Sequence, residues 1–486
     1  MKMFFGAANG SKAPKMLNRF FAAPFGGHIC AAAITIFLST QSSPAEAQSM
    51  SAALAQAYMG NPDLNQQRAA TRASDEGVPR AASGYLPQVA ATATLGYNYL
   101  DGQQAIQGLS ISVPEKASSF PKTFGVGLSQ NIFNGYQTKN AVRSAESSVL
   151  LAREQIRNTE QTTLQNAATA YMNVLRDTSL LALNRNNITV LEEQVRQTKR
   201  RQELGDLTGT DVAQAESSLA TAHSNFFTAR ANLQNSVANF RQLIGAEPKQ
   251  LQAARPIDDL LPTVLSLALD LALREHPALQ AAFHSVDVAE LQVHIYEGQL
   301  YPTLNFVANL QQNDQYSGIP QNHLLNASAL FQLSVPLYAG SDDYAKIRQA
   351  KEALAQARLQ ADVQRDTIRA SLVSAWGQLQ MSKTRIVSSR LAVRASEIAL
   401  MGVRNEAKLG HRTTLDVLLA QQNLLNARAN LVSAERDHVV ASYAVMAAIG
   451  KLSAANLSLD VVPYDPSIHF EQVKDKWFGL RTADGH

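Results

Sequence analysis

The sequence predicts an internally duplicated α+β membrane protein: a β-barrel shared between copies of the chain and continuous with a long α-helical coiled-coil barrel. Three observations carry this. Residues 128–245 and 333–450 match without a gap, with Leu128-Ser129 on Leu333-Ser334, Gly135 on Gly340 and Ile244-Gly245 on Ile449-Gly450. Each copy contains short segments in which apolar and polar residues alternate, and each contains a heptad-patterned stretch, 136–204 or 341–409. A repeat this long exceeds the roughly 20–50 residues of solenoid units and reads as one large supersecondary unit used twice.

The N-terminus reads as a targeting segment. Lys2, Lys12, Lys15 and Arg19 form a basic region, His28–Leu38 a short apolar run, and Ala45-Glu46-Ala47 a small-residue cleavage site. The apolar run is well short of the ~20 residues a spanning helix needs. Of 43 basic and 40 acidic residues, four basic ones and Glu46 leave with residues 1–47, so the mature chain is close to neutral. The basic balance of the full chain is therefore no sign of a nucleic-acid partner. Cys30, the single cysteine, leaves too, which excludes disulfides and cysteine metal sites from the mature protein. The isoleucine before it argues against a lipid-modified terminus.

The remaining chain divides into a first repeat at 48–250, a linker at 251–264, a second repeat at 265–450 and a C-terminal segment at 451–486. Each repeat runs helix, two strands, very long helix, tight turn, return helix. The opening helices, about 51–84 and 266–298, stop before Tyr85-Leu86-Pro87 and Tyr301-Pro302, because a residue before proline is pushed toward extended conformations. Opening and return helices are expected to stack end to end and so match one long helix. Residues 246–264 and 451–486 then fall at the junction, as a belt.

Strand patterning is clearest at 89–99 (Val89, Ala91, Ala93, Leu95) and at 324–338 (Leu325, Ala327, Ala329, Phe331, Leu333). Phe124, Val126 and Leu128, and Phe306, Ala308 and Leu310, mark the other two. Segments of about ten residues with one apolar face suit a transmembrane barrel, although a half-buried soluble sheet shows the same alternation. Strand number separates the two. Four strands cannot close a membrane barrel, whose smallest members have about eight, and an open edge in lipid leaves backbone groups unpaired. Three copies give a homotrimeric 12-stranded barrel with four strands per protomer. The connections at about 100–121 and 312–323 read as exposed loops.

At 1.5 Å per residue each long helix spans on the order of 100 Å. Ile347, Leu354, Ala361 and Ile368 are spaced by seven; a step of four leads to Leu372, Leu379, Ile386, Val393 and Leu400. Val142, Val149, Ile156 and Thr163, then Ala167, Val174, Leu181, Ile188 and Val195, repeat the same stutter, which locally unwinds a left-handed supercoil.

Each long helix ends at Leu-Gly, the usual left-handed cap (Gly205, Gly410). The chain restarts at Thr208-Gly209-Thr210-Asp211 and Thr413-Thr414-Leu415-Asp416, which have the form of a capping box with Asp in place of Glu or Gln. Asp211 and Asp416 therefore have a plain reading as helix N-terminal carboxylates. In a trimer the same turns would rim the far end of a tunnel, where three copies of Asp416 make an acidic ring of the kind that selects ions. Arg412 is then placed to tether the tip to a neighbouring helix.

On these residues the chain resembles the TolC-type outer-membrane factors, the exit ducts of tripartite efflux pumps and type I secretion systems. The resemblance covers the mature chain and is most specific at Leu409–Leu418 and its counterpart Leu204–Val212. It implies a homotrimer in outer-membrane lipid, with a helical barrel projecting into the periplasm. It implies as partners a periplasmic membrane-fusion adaptor and an inner-membrane transporter of RND or ABC type. It also implies a periplasmic gate at Asp416, Arg412 and Asp211, with an adaptor-docking tip at Gly205, Leu207, Thr208, Thr210, Gly410, His411, Thr413 and Thr414. The sequence departs at Leu419, where members with two acidic rings have a second aspartate, and at Ala407, where the best-known members have a tether tyrosine.

No enzyme signature, cofactor motif or metal-ligand spacing stands out. His284 and His294 read as surface residues, and Gly125-Val126-Gly127 lies in a strand rather than opening a helix. Glu192-Glu193 and Asp258-Asp259 read as solvated pairs, and Lys199-Arg200-Arg201 as cations at a helix C-terminus. The leading expectation is an exit duct for drugs, toxic compounds or secreted proteins. The alternatives are a dedicated type I secretion duct and a non-conducting coiled-coil adhesin or spacer.

Overall fold

The computed structural model describes residues 48–105, 112–315, 322–338, 340–482 and 485; the expected signal segment lies outside them. The first repeat opens with helices α1 (Met50–Gly60), α2 (Pro62–Asp75) and α3 (Gly77–Ala82), followed by strands β1 (Gln88–Leu95), β2 (Asn98–Ala105), β3 (Ser112–Ser119) and β4 (Lys122–Asn134). The long helix α4 (Gln137–Glu203) and the return helix α5 (Gly209–Ile244) complete it. The second has α6 (Leu265–Glu275), α7 (Pro277–Gly298), β5 (Thr303–Asp314), β6 (His323–Ser334), α8 (Asp342–Lys408) and α9 (Thr414–Ile449), and α10 (Pro466–Val473) follows.

The long helices each have 67 residues and the return helices 36. Their seams fall where the heptads put them, with Ile347, Ala361, Ile368, Leu372, Leu379 and Leu400 buried and the four-residue step between Ile368 and Leu372 kept. The return helices answer with alanines seven apart, Ala215, Ala222 and Ala229 in α5 and Ala427, Ala434 and Ala441 in α9, all buried. A methyl at each facing position lets two helices approach closely. The periodicity is in the sequence, but the apolar count of the return helices masks it.

The opening helices differ from the expectation of one continuous helix. Each breaks before a proline, at Asn61-Pro62 and His276-Pro277. Proline removes an N–H and fixes φ, so it suits the first turn of a new helix rather than the interior of an old one. The break is stabilised as a cap. Asn61 Oδ1 accepts from Asp63 N at 2.9 Å, and His276 Nδ1 accepts from Ala278 N at 3.1 Å. These breaks are also where the helices stack end to end. Asn61 Nδ2 donates to the Leu243 carbonyl at the end of α5 (3.0 Å), and Gly450, with φ +91°, lies so close to His276 that a Cβ there would be 2.8 Å from its Cα.

At this level sits the main core. Leu54, Tyr58, Leu64, Leu164, Tyr171, Phe240, Ile244, Tyr443, Met446 and Leu452 cluster, and Leu251 and Ile257 of the linker and Val461 and Tyr464 of the C-terminal segment close over them. Tyr171 is fully buried, with its hydroxyl 2.8 Å from the Gln48 carbonyl and 2.7 Å from that of Gln252; burial pushes its pKa up to about 12. Asp258, read above as solvated, is instead a fastener. Its Oδ2 lies 3.0 Å from Lys383 Nζ on α8 and 3.1 Å from His438 Nε2 on α9. Lys199 likewise reaches across to Glu216 of α5 at 2.6 Å.

The strands form an antiparallel sheet in the order β1-β4-β5-β6, so β1 and β6 are its two edges. The expected loop at 100–121 holds a β-hairpin, β2 with β3, tied by Lys116–Asp101 at 3.2 Å. The strand expected over 89–99 stops at Leu95, and the one over 324–338 at Ser334. The hairpin escapes a pattern reading because polar residues fill both of its faces and Pro114 sits within it. Its pairing is made by backbone bonds, which carry no sequence periodicity.

Candidate functional site

The two turns that end the long helices share one geometry. Gly205 (φ +83°) and Gly410 (φ +81°) take the left-handed conformation that glycine adopts without strain. Gly205 N donates to Gln202 O at 2.9 Å and Asp206 N to Arg201 O at 2.9 Å; Gly410 N donates to Ala407 O at 3.2 Å and His411 N to Glu406 O at 2.9 Å. Both are Schellman motifs, which satisfy carbonyls the helix end would leave unpaired.

Each return helix then starts with a full capping box. Asp211 N donates to Thr208 Oγ1 (3.3 Å), while Asp211 Oδ2 accepts from Thr208 N (3.0 Å) and Oγ1 (2.7 Å). In the second turn Asp416 N donates to Thr413 Oγ1 (3.2 Å), and Asp416 Oδ2 accepts from Thr413 N and Oγ1, both at 2.9 Å. Aspartate thus serves where glutamate is usual. Bonds from the Thr413 backbone and side chain hold Asp416 below the usual carboxylate range, and those from the Thr208 side chain and backbone do the same for Asp211. Both stay anionic at neutral pH. The capping reading of the two aspartates is a fact of the structure, and any gating role is additional to it.

Among the described residues Arg412 bonds back onto its own hairpin. Its Nε donates to Glu406 Oε2 at 2.9 Å, folding the turn back onto the last turn of α8; that bond, with the nearby charges of Glu406 and Asp416, keeps the guanidinium firmly protonated. The first turn holds a counterpart of opposite polarity, in which Arg201 of α4 lies 3.9 Å from Asp206. Position 201 corresponds to 406, where a base replaces an acid, while the partners are one position out of step, Asp206 corresponding to His411 and Arg412 to Leu207.

Gly205, Thr208, Thr210, Gly410, His411, Arg412 and Thr413 are exposed, Leu207, Asp211 and Asp416 half-buried. Thr414 is buried, which separates it from the other expected docking residues. The sequence reading missed the leucines. Leu204 and Leu409 cap the long helices at 79% and 73% exposure, and Leu415 and Leu419 are exposed beside them. Their signal was available, since they are apolar at positions outside the heptad seam. Behind the turns, a groove of about 500 Å³ opens between α4 (Val190, Glu193, Gln197, Arg201) and the α8–α9 hairpin (Arg404, Lys408, Val417). Its wall is polar and charged, as suits a wet surface rather than a closed ligand pocket.

A family model described as outer membrane efflux protein matches residues 53–246 and 268–451, one stretch in each repeat. The chain belongs to this family. It is 39% identical over 438 residues to the outer membrane efflux protein BepC of Brucella suis, across 90% of this chain and 93% of the relative. The outer membrane protein TolC of Escherichia coli is 26% identical over 438 residues, covering 87% and 86%. The alkaline protease secretion protein AprF of Pseudomonas aeruginosa is 26% identical over 384 residues, covering 77% and 78%. In fold the chain is similar to the Campylobacter jejuni CmeC outer membrane channel, with a TM-score of 0.74 over 88% of this chain and 89% of that one at 15% identity.

As a member, it is an outer-membrane exit duct of an export system, with its helical part in the periplasm. The expected α+β duct fold stands. The family is one of transport ducts rather than enzymes, which does not favour the coiled-coil adhesin reading.

Proposed function

We propose that three copies close a 12-stranded barrel and a single tunnel, and that the chain serves as a passive conduit with no chemistry of its own. The observation that carries this is the four-stranded sheet with two free edges. Unpaired backbone groups cost several kcal/mol each in hydrocarbon, so β1 and β6 need partners from other copies. The bare outer side of α8, with Leu359, Val363, Val387, Leu391 and Ile398 exposed, supports the same assembly. In the trimer the linker and C-terminal segments form a belt at the level of the main core.

Six turns then make the distal tip, where a periplasmic adaptor docks on Leu204, Gly205, Leu207, Thr208, Gly410, His411 and Thr413, and an inner-membrane transporter supplies the energy. Three Asp416 carboxylates form a single acidic ring, with Arg412 and Asp211 beside it. The similarity to the efflux protein BepC favours efflux over dedicated protein secretion; a dedicated protein-secretion role is instead expected to couple the duct to an ABC exporter.

Conductance of purified trimers in planar bilayers tests this reading. Asp416→Asn keeps an acceptor for Thr413 N and removes the charge, so it separates gate from cap. We expect divalent cations to block the wild-type pore and to block this variant at least about tenfold less strongly, as loss of a charged ring implies. Trimers without conductance would sink the duct reading, and unchanged block would sink the acidic ring.

A further inference from the structure

The two repeats share one geometry down to strand register. Gln88 faces Ser129 across β1 and β4, and Thr303 faces Ser334 across β5 and β6. Adding 215 to the first residue and 205 to the second carries every β1–β4 pair onto a β5–β6 pair. Val89↔Leu128 falls on Leu304↔Leu333, and Leu95↔Lys122 on Leu310↔Ala327. The same shifts carry Arg153, whose charge acts on Asp75, onto the Arg358–Glu290 ion pair.

One ladder has no twin inside the chain. β4 pairs with β5 and joins the first repeat to the second, with Leu128 opposite Ala308. Its counterpart would join a β6 to a β1, and these lie on opposite edges of the sheet. We infer that β6 of one copy pairs with β1 of the next in the register of the β4–β5 ladder. Leu333 then faces Ala93, Phe331 faces Leu95, Ser334 faces Thr92 and Gln332 faces Thr94. The inference rests on the trimer proposed above and goes further by fixing which residues meet.

Two features of this chain agree with that register. It sets apolar residues opposite apolar ones and polar opposite polar; a slip by one residue would turn one strand's apolar face to the wrong side of the barrel. β6 ends at Ser334, and Pro336, the equivalent of Asn131 opposite Asn305, falls opposite Ala90 and has no N–H to donate, so the inferred ladder runs from Ser334–Thr92 to Phe331–Leu95 and stops short of it. The same shifts also supply a neighbour for an open turn. A Cβ on Gly135 would lie 2.2 Å from the Gly298 carbonyl oxygen and 2.7 Å from Tyr301 Cβ, whereas one on the equivalent Gly340 meets nothing within 4 Å among the described residues. Ser83 and Leu86 of the next copy fill that space.

Cysteine pairs test the register in the full chain, with Cys30, the one native cysteine, changed to Ser. Leu333→Cys with Ala93→Cys, and Gln332→Cys with Thr94→Cys, are oxidised in isolated membranes. Antiparallel pairs alternate between Cα separations of about 5.5 and 4.5 Å, so the two variants sample both geometries within disulfide reach. At least one should give covalent dimers and trimers at about five times the yield of Leu333→Cys with Ala91→Cys or with Leu95→Cys, whose diagonal Cα separations of about 7–8 Å lie beyond that reach. Leu128→Cys with Ala308→Cys, the template pair within one chain, verifies the oxidation. If a diagonal pair cross-links as well as the direct ones, or no pair does in intact trimers, the register is wrong and the trimer stands. Wild-type chains that run as monomers in mild detergent by light scattering overturn the trimer as well.

Discussion

The long helices α4 and α8 have equal length, the same stutter and the same terminal turn, but different surroundings. α4 packs against α1, α2, α3, α5, α7 and α9, whereas the helices packed on α8 are chiefly α6, α7 and α9. Around Gln161–Asp177, α4 is consequently enclosed, with Leu164, Ala167 and Tyr171 fully buried. The matching stretch of α8 buries Ile368, Leu372, Leu379 and Ser382 and leaves Val373 and Met381 exposed. A duplicated sequence therefore gives duplicated helices without giving duplicated burial. Position in the layer decides that, and α8 carries the more exposed face.

The two helices differ most at their centres. Tyr171 and Trp376 are equivalent, but Tyr171 is fully buried and hydrogen-bonded while Trp376 is only partly buried. Tyr171→Ala should cost about 3–5 kcal/mol through its cavity, with two carbonyls losing their hydroxyl partner besides. Trp376→Ala should cost about half as much in chemical denaturation. Equal losses would mean that α8 is as enclosed as α4 in the working assembly.

The joints between stacked helices offer the next test. Burial lowers the pKa of His276 to about 4, so the folded state holds it neutral while the unfolded chain takes up a proton near pH 6.5. Stability from this site is complete above about pH 6.5 and is lost as pH falls toward 4; between pH 7.5 and 5 the loss should be about 2 kcal/mol. His276→Asn installs the residue found at the equivalent Asn61, which caps without titrating. It should flatten that slope in thermal unfolding followed by circular dichroism, and an unchanged slope would place the titration elsewhere.

At the tip the two hairpins should behave alike in capping. Thr208→Ala and Thr413→Ala should each cost about 1 kcal/mol locally, seen as faster amide exchange in the first turns of α5 and α9. The smallest effect concerns the reversed latches. Glu406→Gln should loosen residues 409–413 more than Arg201→Gln loosens 204–208, because the Arg412–Glu406 contact is a hydrogen bond and Arg201–Asp206 is 3.9 Å long. The difference should vanish in 1 M salt, since exposed ion pairs are screened. If it persists, Arg412 has a further partner.

Much of this was legible in the residues. The bounds expected for the long helices lie within a residue of those observed, because a heptad seam over so many turns leaves little freedom and Gly205 and Gly410 mark the ends. The capping boxes were visible for the same reason, being local. The β2–β3 hairpin was not, since its pairing is backbone-made and its faces are both polar. Asp258 looked like one of two solvated carboxylates, and only the fold brings Lys383 and His438 to it. Glu406 carried no signal until the turn placed it beside Arg412.

The sequence by itself determined what depends on spacing along one chain: two copies, four principal strands, helices of matched length, and turns closed by glycine, threonine and aspartate. These follow from periodicity and capping, which act between residues a few positions apart. The tertiary structure alone decided the order of helices in the layer, the breaks at Pro62 and Pro277 as stacking joints, and the opposite polarity of the two latches. Above all it decided that α4 is enclosed while α8, β1 and β6 stay open. Those outcomes depend on which surfaces meet across hundreds of residues, which spacing along the chain does not carry.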